Sequence, residues 1–203
     1  MEPTPSELNP YAPPAADLST AAELAADRRF YVVSPGKFAV LFFATLGMYS
    51  VYWFYANWKA YREASGQRLW PIPRAIFNIF FTHSLMRRIQ QRLDARNIAH
   101  SWSPGAVATG WVILSIVSHI ADQLSYNESG YLVADVLSFL ILIPLFLVLR
   151  SAQVAINTCE GDPQGACNAN YTGANWLWIL IGLLLWLLAA FGYAVLFGLV
   201  QVP

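Results

Sequence analysis

Three ionisable residues invite a chemical reading: His119, Asp122 and Asp135. His119 and Asp122 stand three apart, which puts them on one face of a helix. Asp135 follows after a short polar stretch. If the flanking segments form an antiparallel hairpin, His119 and Asp135 reach comparable depth inside one mouth of it. An imidazole beside two carboxylates could relay a proton or hold a cation. The same groups could instead hydrogen-bond across the hairpin and lock it. A charge in mid-bilayer costs about 2.5–3.5 kcal/mol on insertion scales, so pairing is expected either way. The other polar residues near an apolar segment, Asn78, Thr82 and His83, belong to a different stretch. No chain of such groups continues across a bilayer, which makes a small transporter or channel subunit the alternative reading rather than the leading one.

Other chemistry finds no signature. There is no glycine-rich phosphate loop, no paired-histidine metalloprotease helix and no nucleophile elbow. Cys159 and Cys167 sit eight apart in a polar stretch without the further Cys or His partners that zinc requires. Neither a catalytic residue, a metal nor a cofactor is expected, and the protein is read as a non-enzyme.

The elements that must position these residues follow from composition. Of 203 residues, 57% are hydrophobic and 12% charged, whereas a soluble domain carries about 25% charged residues. So little polar surface cannot coat a globule, and the class is an all-α integral membrane protein. The formal net charge of zero argues against nucleic acid as a partner. Residues 1–36 read as a Pro/Ala-rich tail, acidic at its start and without the pattern of a secretory signal.

Four apolar runs are long enough to cross about 30 Å of hydrocarbon: 37–58, 105–123, 131–149 and 175–202. The first ends in tyrosines and tryptophans, which favour the headgroup level. Pro144 removes a backbone bond from the third and should kink it. In the fourth, Ala190, Ala194 and Gly198 form a small-residue ridge on which another helix could pack.

Between the first two runs lies a basic stretch, 59–104, containing a helix expected over 72–96. Its apolar start is too short for an ordinary span and suits a re-entrant or interfacial position. Along its second half Leu85, Ile89 and Leu93 hold one face and Arg88, Arg92 and Arg96 another. With Arg87, these arginines are expected to contact anionic lipid headgroups, each contributing about 1 kcal/mol. Because cytoplasmic loops collect Lys and Arg, 59–104 and the polar loop 150–174 are placed inside, and residues 124–130 outside. Both cysteines are then expected to stay reduced. Four spans put the N-terminus outside; a fifth crossing at 72–86 would put it inside.

The segment TLGMYSVYWFYANWK, Thr45–Lys59, resembles the T-x-G-x-Y-x-x-Y-W-x-Y stretch of a family of small bacterial multi-span membrane proteins. NPYAPP, FYVVSPGKF, RAIFNIFF and the NW that opens the last run are similar to the same group. The resemblance implies a bacterial inner-membrane protein of several helices and carries no activity with it. The expected function is therefore binding, of lipid headgroups and of a protein partner or a second copy of the chain.

Overall fold

The computed structural model describes residues 27–125 and 131–200. Their elements are α1 (Pro35–Ala44), α2 (Tyr49–Ser65), α3 (Pro71–Ile76), α4 (Asn78–Ala95), α5 (Pro104–Ser125), α6 (Tyr131–Leu140), α7 (Leu142–Cys159), a 3-10 turn (Ala166–Asn168) and α8 (Gly173–Leu196). Three stretches are long and apolar enough to cross a membrane: Pro104–Ala121, Val136–Cys159 and Gly173–Val195.

The expected first span, 37–58, is not one helix. α1 stops at Ala44, and a tight turn reverses the chain into α2. Gly47 N–H donates to the Phe42 carbonyl at 2.8 Å and Leu46 N–H to that of Phe43 at 3.2 Å. This is the bonding of a left-handed helix stop, and Leu46 adopts φ 52° to make it. Thr45 then serves both helices, its Oγ1 donating to the Leu41 carbonyl and accepting from Tyr49 N–H. The Thr-Leu-Gly at the start of the aromatic segment is therefore a helix terminator. Its tyrosines and tryptophans belong to the returning helix, and Tyr49, Trp53 and Trp58 are buried in the core.

This hairpin leans on α8. Gly182 lies against the end of α1 so closely that a Cβ there would fall 2.0 Å from the Ala44 carbonyl oxygen. Trp186 Nε1–H donates to the Phe43 carbonyl at 3.1 Å, as a second donor beside the Leu46 N–H of the turn. At about 1.5 Å per residue, Gly182 is about 14 Å from the start of α8. The hairpin tip thus stands about two-fifths of the way along that helix.

The basic stretch folds as a second, shorter bend. α3 and α4 meet at Phe77, and Asn78 Oδ1 accepts from Trp111 Nε1–H about 10 Å into α5. Ile72, Ile76, Phe77 and Phe80 around this bend are exposed. The helix expected over 72–96 is thus two pieces.

α6 and α7 are nearly continuous, interrupted at Ile141, three residues before Pro144. The helix also runs on past Arg150, so the polar loop expected over 150–174 shrinks to 160–172. The reason is an apolar face that continues through the polar residues. Leu145, Leu149, Ala152, Ile156 and Cys159 are all buried at helical spacing. The core lies among α1, α2, α4 and α7, while α8 is bare over most of its length.

Candidate functional site

The most elaborate polar construction is at the end of the bundle where α1, α5 and α8 begin and α4 and α7 end. A non-helical strap, residues 27–34, lies across it, and its backbone polar groups are met one by one. Tyr31 N–H donates to Asn57 Oδ1 at 3.1 Å. Gln153 Nε2 donates to the Tyr31 carbonyl at 3.1 Å, Asn168 Nδ2 to that of Val32 at 2.9 Å, and Asn157 Nδ2 to that of Val33 at 2.9 Å. Gln153 also donates to Asn157 Oδ1 at 2.7 Å and accepts from Trp53 Nε1–H. Asn57, Gln153 and Asn157 are almost fully enclosed. A buried amide is costly unless its hydrogen bonds are made, and here each supplies a bond that the irregular backbone lacks. Phe30, Val32 and Val33 are buried beneath the clamp. Lys37, buried at the head of α1, donates from Nζ to Asn168 Oδ1 and the Asn170 carbonyl, each at 2.7 Å.

Charge closes the strap from outside. Arg92 and Arg96 both donate to Asp27 Oδ2 at 2.7 Å. Arg92 Nε stands 3.6 Å from Oε1 of Glu160, whose side chain is 0% exposed. Arg28 approaches Asp162 at 3.8 Å. Burial pushes the Glu160 carboxyl up, while Arg92 pulls it down. Hydrogen bonds from Arg92 and then Arg96 hold Asp27 below its ordinary value of 3.8. A depressed carboxyl contributes stability above the unfolded value and loses it as pH falls through the folded one. Asp27 is half exposed, so solvent screens the pair and about 1 kcal/mol is the expected scale. Asp27→Asn should lower the unfolding midpoint modestly at pH 7. The difference from the parent protein should vanish as pH falls through the depressed folded value of Asp27.

An aromatic flank completes the site. The Arg74 guanidinium lies 4.5 Å from the Trp58 ring and 4.9 Å from Phe81, while Arg88 lies 4.4 Å from Tyr61. Arg88 also donates to the Tyr61 hydroxyl. Such stacking is favourable and keeps long cationic side chains in place.

The residues singled out by sequence fall in different places. Arg87 is exposed, but Arg88 and Arg96 are half-buried and Arg92 is 8% exposed. The arginine face of α4 therefore turns largely toward the strap and α2. α5 packs against α6 and α7 as the expected hairpin, and His119 is exposed on it. The side chains of Asp122 and Asp135 lie outside the described residues. α8 ends at Leu196, and Gly198 takes φ 68° beyond its end. The helical part of the ridge is therefore Ala190 and Ala194, and the close approach to α1 is made at Gly182 instead.

Sequence reasoning missed Asn57, Gln153 and Asn157. Gln153 and Asn157 stand one helical turn apart on the buried face of α7, a signal hidden by assigning that stretch to a loop. Both cysteines are free thiols, Cys159 buried and Cys167 exposed. No family model, curated protein or solved structure matches the chain. The aromatic segment now has a structural account, since Thr45, Tyr49 and Trp53 build the turn, a hydroxyl contact to Tyr31 and the bond to Gln153.

Proposed function

We propose that this protein is a multi-pass protein of the bacterial inner membrane, acting through lipid and protein interactions rather than catalysis. In this reading α5, α6–α7 and α8 cross the bilayer. The α1–α2 hairpin and the α3–α4 bend enter it from one side and return. The observation that carries the threading is the position of the strap. Asp27 bonds to the end of α4, Arg28 to the loop after α7, and Phe30 stacks on Tyr61 near the end of α2, so the chain enters and leaves the hairpin at the same end of the bundle. All twelve Lys and Arg residues lie in the strap, the two bends and α7, and none in residues 97–149 or 151–203. The rule of positive charge inside then makes that end cytoplasmic. Backbone turns at membrane depth are tolerated where protein covers them, and α7 and α8 flank the hairpin tip.

Binding is supported by what the fold leaves uncovered. α8 touches the body through Gly182 and Trp186 but exposes Leu180, Leu183, Leu184, Leu187 and Phe191. A span so thinly packed suits lipid or another transmembrane helix, whether from a partner or a second copy. The cationic, aromatic flank around Trp58 is about 14 Å above the hairpin tip. It therefore meets the headgroup level of the same leaflet.

Labelling with a membrane-impermeant maleimide tests the threading. Gly36 has open space around it, and Glu63 is exposed on α2. In a Cys167→Ser background, Gly36→Cys and Glu63→Cys should both react from the cytoplasmic face, and Leu199→Cys from the opposite one. Reaction of Gly36→Cys and Glu63→Cys from opposite faces would mean that the first apolar run crosses, and would end this reading.

A further inference from the structure

A small cavity of about 70 Å³ opens where the strap meets α2 and α4, lined by Arg29, Arg88, Arg92, Tyr61, Gln91 and Phe30. Its charge is unbalanced. Asp27 and Glu160 are both taken by Arg92, with Arg96 sharing Asp27. Among the described residues neither Arg29 nor Arg88 has a carboxylate partner. Its donors are also in surplus. The Nε–H of Arg88 is buried and makes no hydrogen bond, whereas that of Arg92, a residue 8% exposed, faces Glu160 Oε1 at 3.6 Å. Tyr61 accepts its bond from Arg88, which leaves its own hydroxyl proton to donate. Three guanidiniums around one space repel each other, and a buried N–H without an acceptor costs about 1–3 kcal/mol. Both costs disappear if the space holds an anion with several acceptor oxygens.

We propose that this cavity binds a phosphate oxyanion, held by Arg29, Arg88 and Arg92 with Tyr61 as a further donor. The volume suits one tetrahedral group, being about twice the ~30 Å³ share of a water molecule. The planar, forked guanidinium matches phosphate oxygens. A carboxylate would offer fewer acceptors to the same donors. The group could be a free phosphate or phosphomonoester from the aqueous side, or the phosphate of a lipid headgroup. The lipid source deepens the headgroup reading above and rests on it; the aqueous source does not. Because Arg29 and Phe30 belong to the strap, the bound anion would also tie residues 27–34 to α2 and α4.

The test uses the full chain in a neutral detergent, followed by thermal unfolding with inorganic phosphate against chloride at matched ionic strength. The same chain is then placed in nanodiscs of phosphatidylcholine alone or with phosphatidylglycerol. Millimolar phosphate should raise the midpoint. Arg29→Gln and Arg88→Gln should each weaken the apparent affinity by about tenfold or more, and Arg87→Gln should not. Arg29 is exposed, so its variant keeps the test decisive if Arg88→Gln fails to fold. Stabilisation by phosphatidylglycerol alone, lost in Arg29→Gln, assigns the site to a headgroup. No response to either anion, or responses that Arg29→Gln and Arg88→Gln leave intact, overturns the proposal. The maleimide labelling is untouched by that result, so a failed anion site and a failed threading are told apart.

Discussion

Gly182→Leu should detach the α1–α2 hairpin from α8 and cost about 3 kcal/mol or more, at the upper end of what overpacking does. The contact is with backbone, which cannot swing aside as a side-chain tip can. A Cβ at position 182 would lie 2.0 Å from the Ala44 oxygen, 2.6 Å from its carbonyl carbon and 3.1 Å from Thr45 N. Relief requires α8 to move away as a whole, which also breaks the Trp186 bond to the Phe43 carbonyl. Gly182→Ala already creates the clash and should give most of the effect. Gly192→Ala, with nothing within 4 Å of its Cβ, should be nearly silent and serves as the control. Resistance to unfolding in a denaturing detergent reads the difference. Equal midpoints for Gly182→Ala and Gly192→Ala would refute the close approach of α8 to the hairpin.

Arg92→Met should be as damaging, for an electrostatic reason. Removing one partner of a buried ion pair strands the other and costs about 3–5 kcal/mol. Glu160 would be left enclosed with its pairing cation gone, and Asp27 would retain Arg96 alone. Burial already pushes the Glu160 carboxyl up, and losing Arg92 removes the largest charge that pulls it back. A group with a raised folded value resists ionising, so its penalty is absent below the ordinary value of 4.5. The penalty grows as pH rises toward and through the folded value. The variant's deficit should therefore shrink as pH falls toward the unfolded value and grow as pH rises above it. Arg92→Met with Glu160→Gln should recover part of the loss, because a neutral amide is cheaper to enclose than a stranded charge. A deficit independent of pH would assign the role of Arg92 to packing by its aliphatic stem.

Much of the fold was legible in the chain. The last three apolar runs match helices, because uninterrupted apolar length is a property of composition that no neighbour can change. Pro144 announced the break at Ile141 for a similarly local reason, since it has no N–H to give. The site was much less legible. Asn57 and Asn157 look like ordinary polar residues until an irregular backbone is laid across them, 26 residues away in the chain for Asn57 and 124 for Asn157. The arginine stripe of α4 was visible as a stripe. Which way it turned depended on two carboxylates, Asp27 and Glu160, brought to it from distant parts of the chain.

By itself, then, the sequence determined the helical content, the apolar length of three helices that suffices to cross a membrane, and the absence of Lys and Arg from residues 97–149 and 151–203. These depend on residue counts and local periodicity. Only the tertiary structure decided that the first apolar run turns back. Thr-Leu-Gly permits either a continuous helix or a stop, and a left-handed residue at Leu46 is costly alone. The balance tips because the returning helix buries Tyr49, Trp53 and Trp58 against α1, α4 and α7. The strap supplies the carbonyls that Gln153 and Asn157 would otherwise lack inside the core. Those gains come from contacts between segments distant in sequence, which no local pattern in the chain encodes.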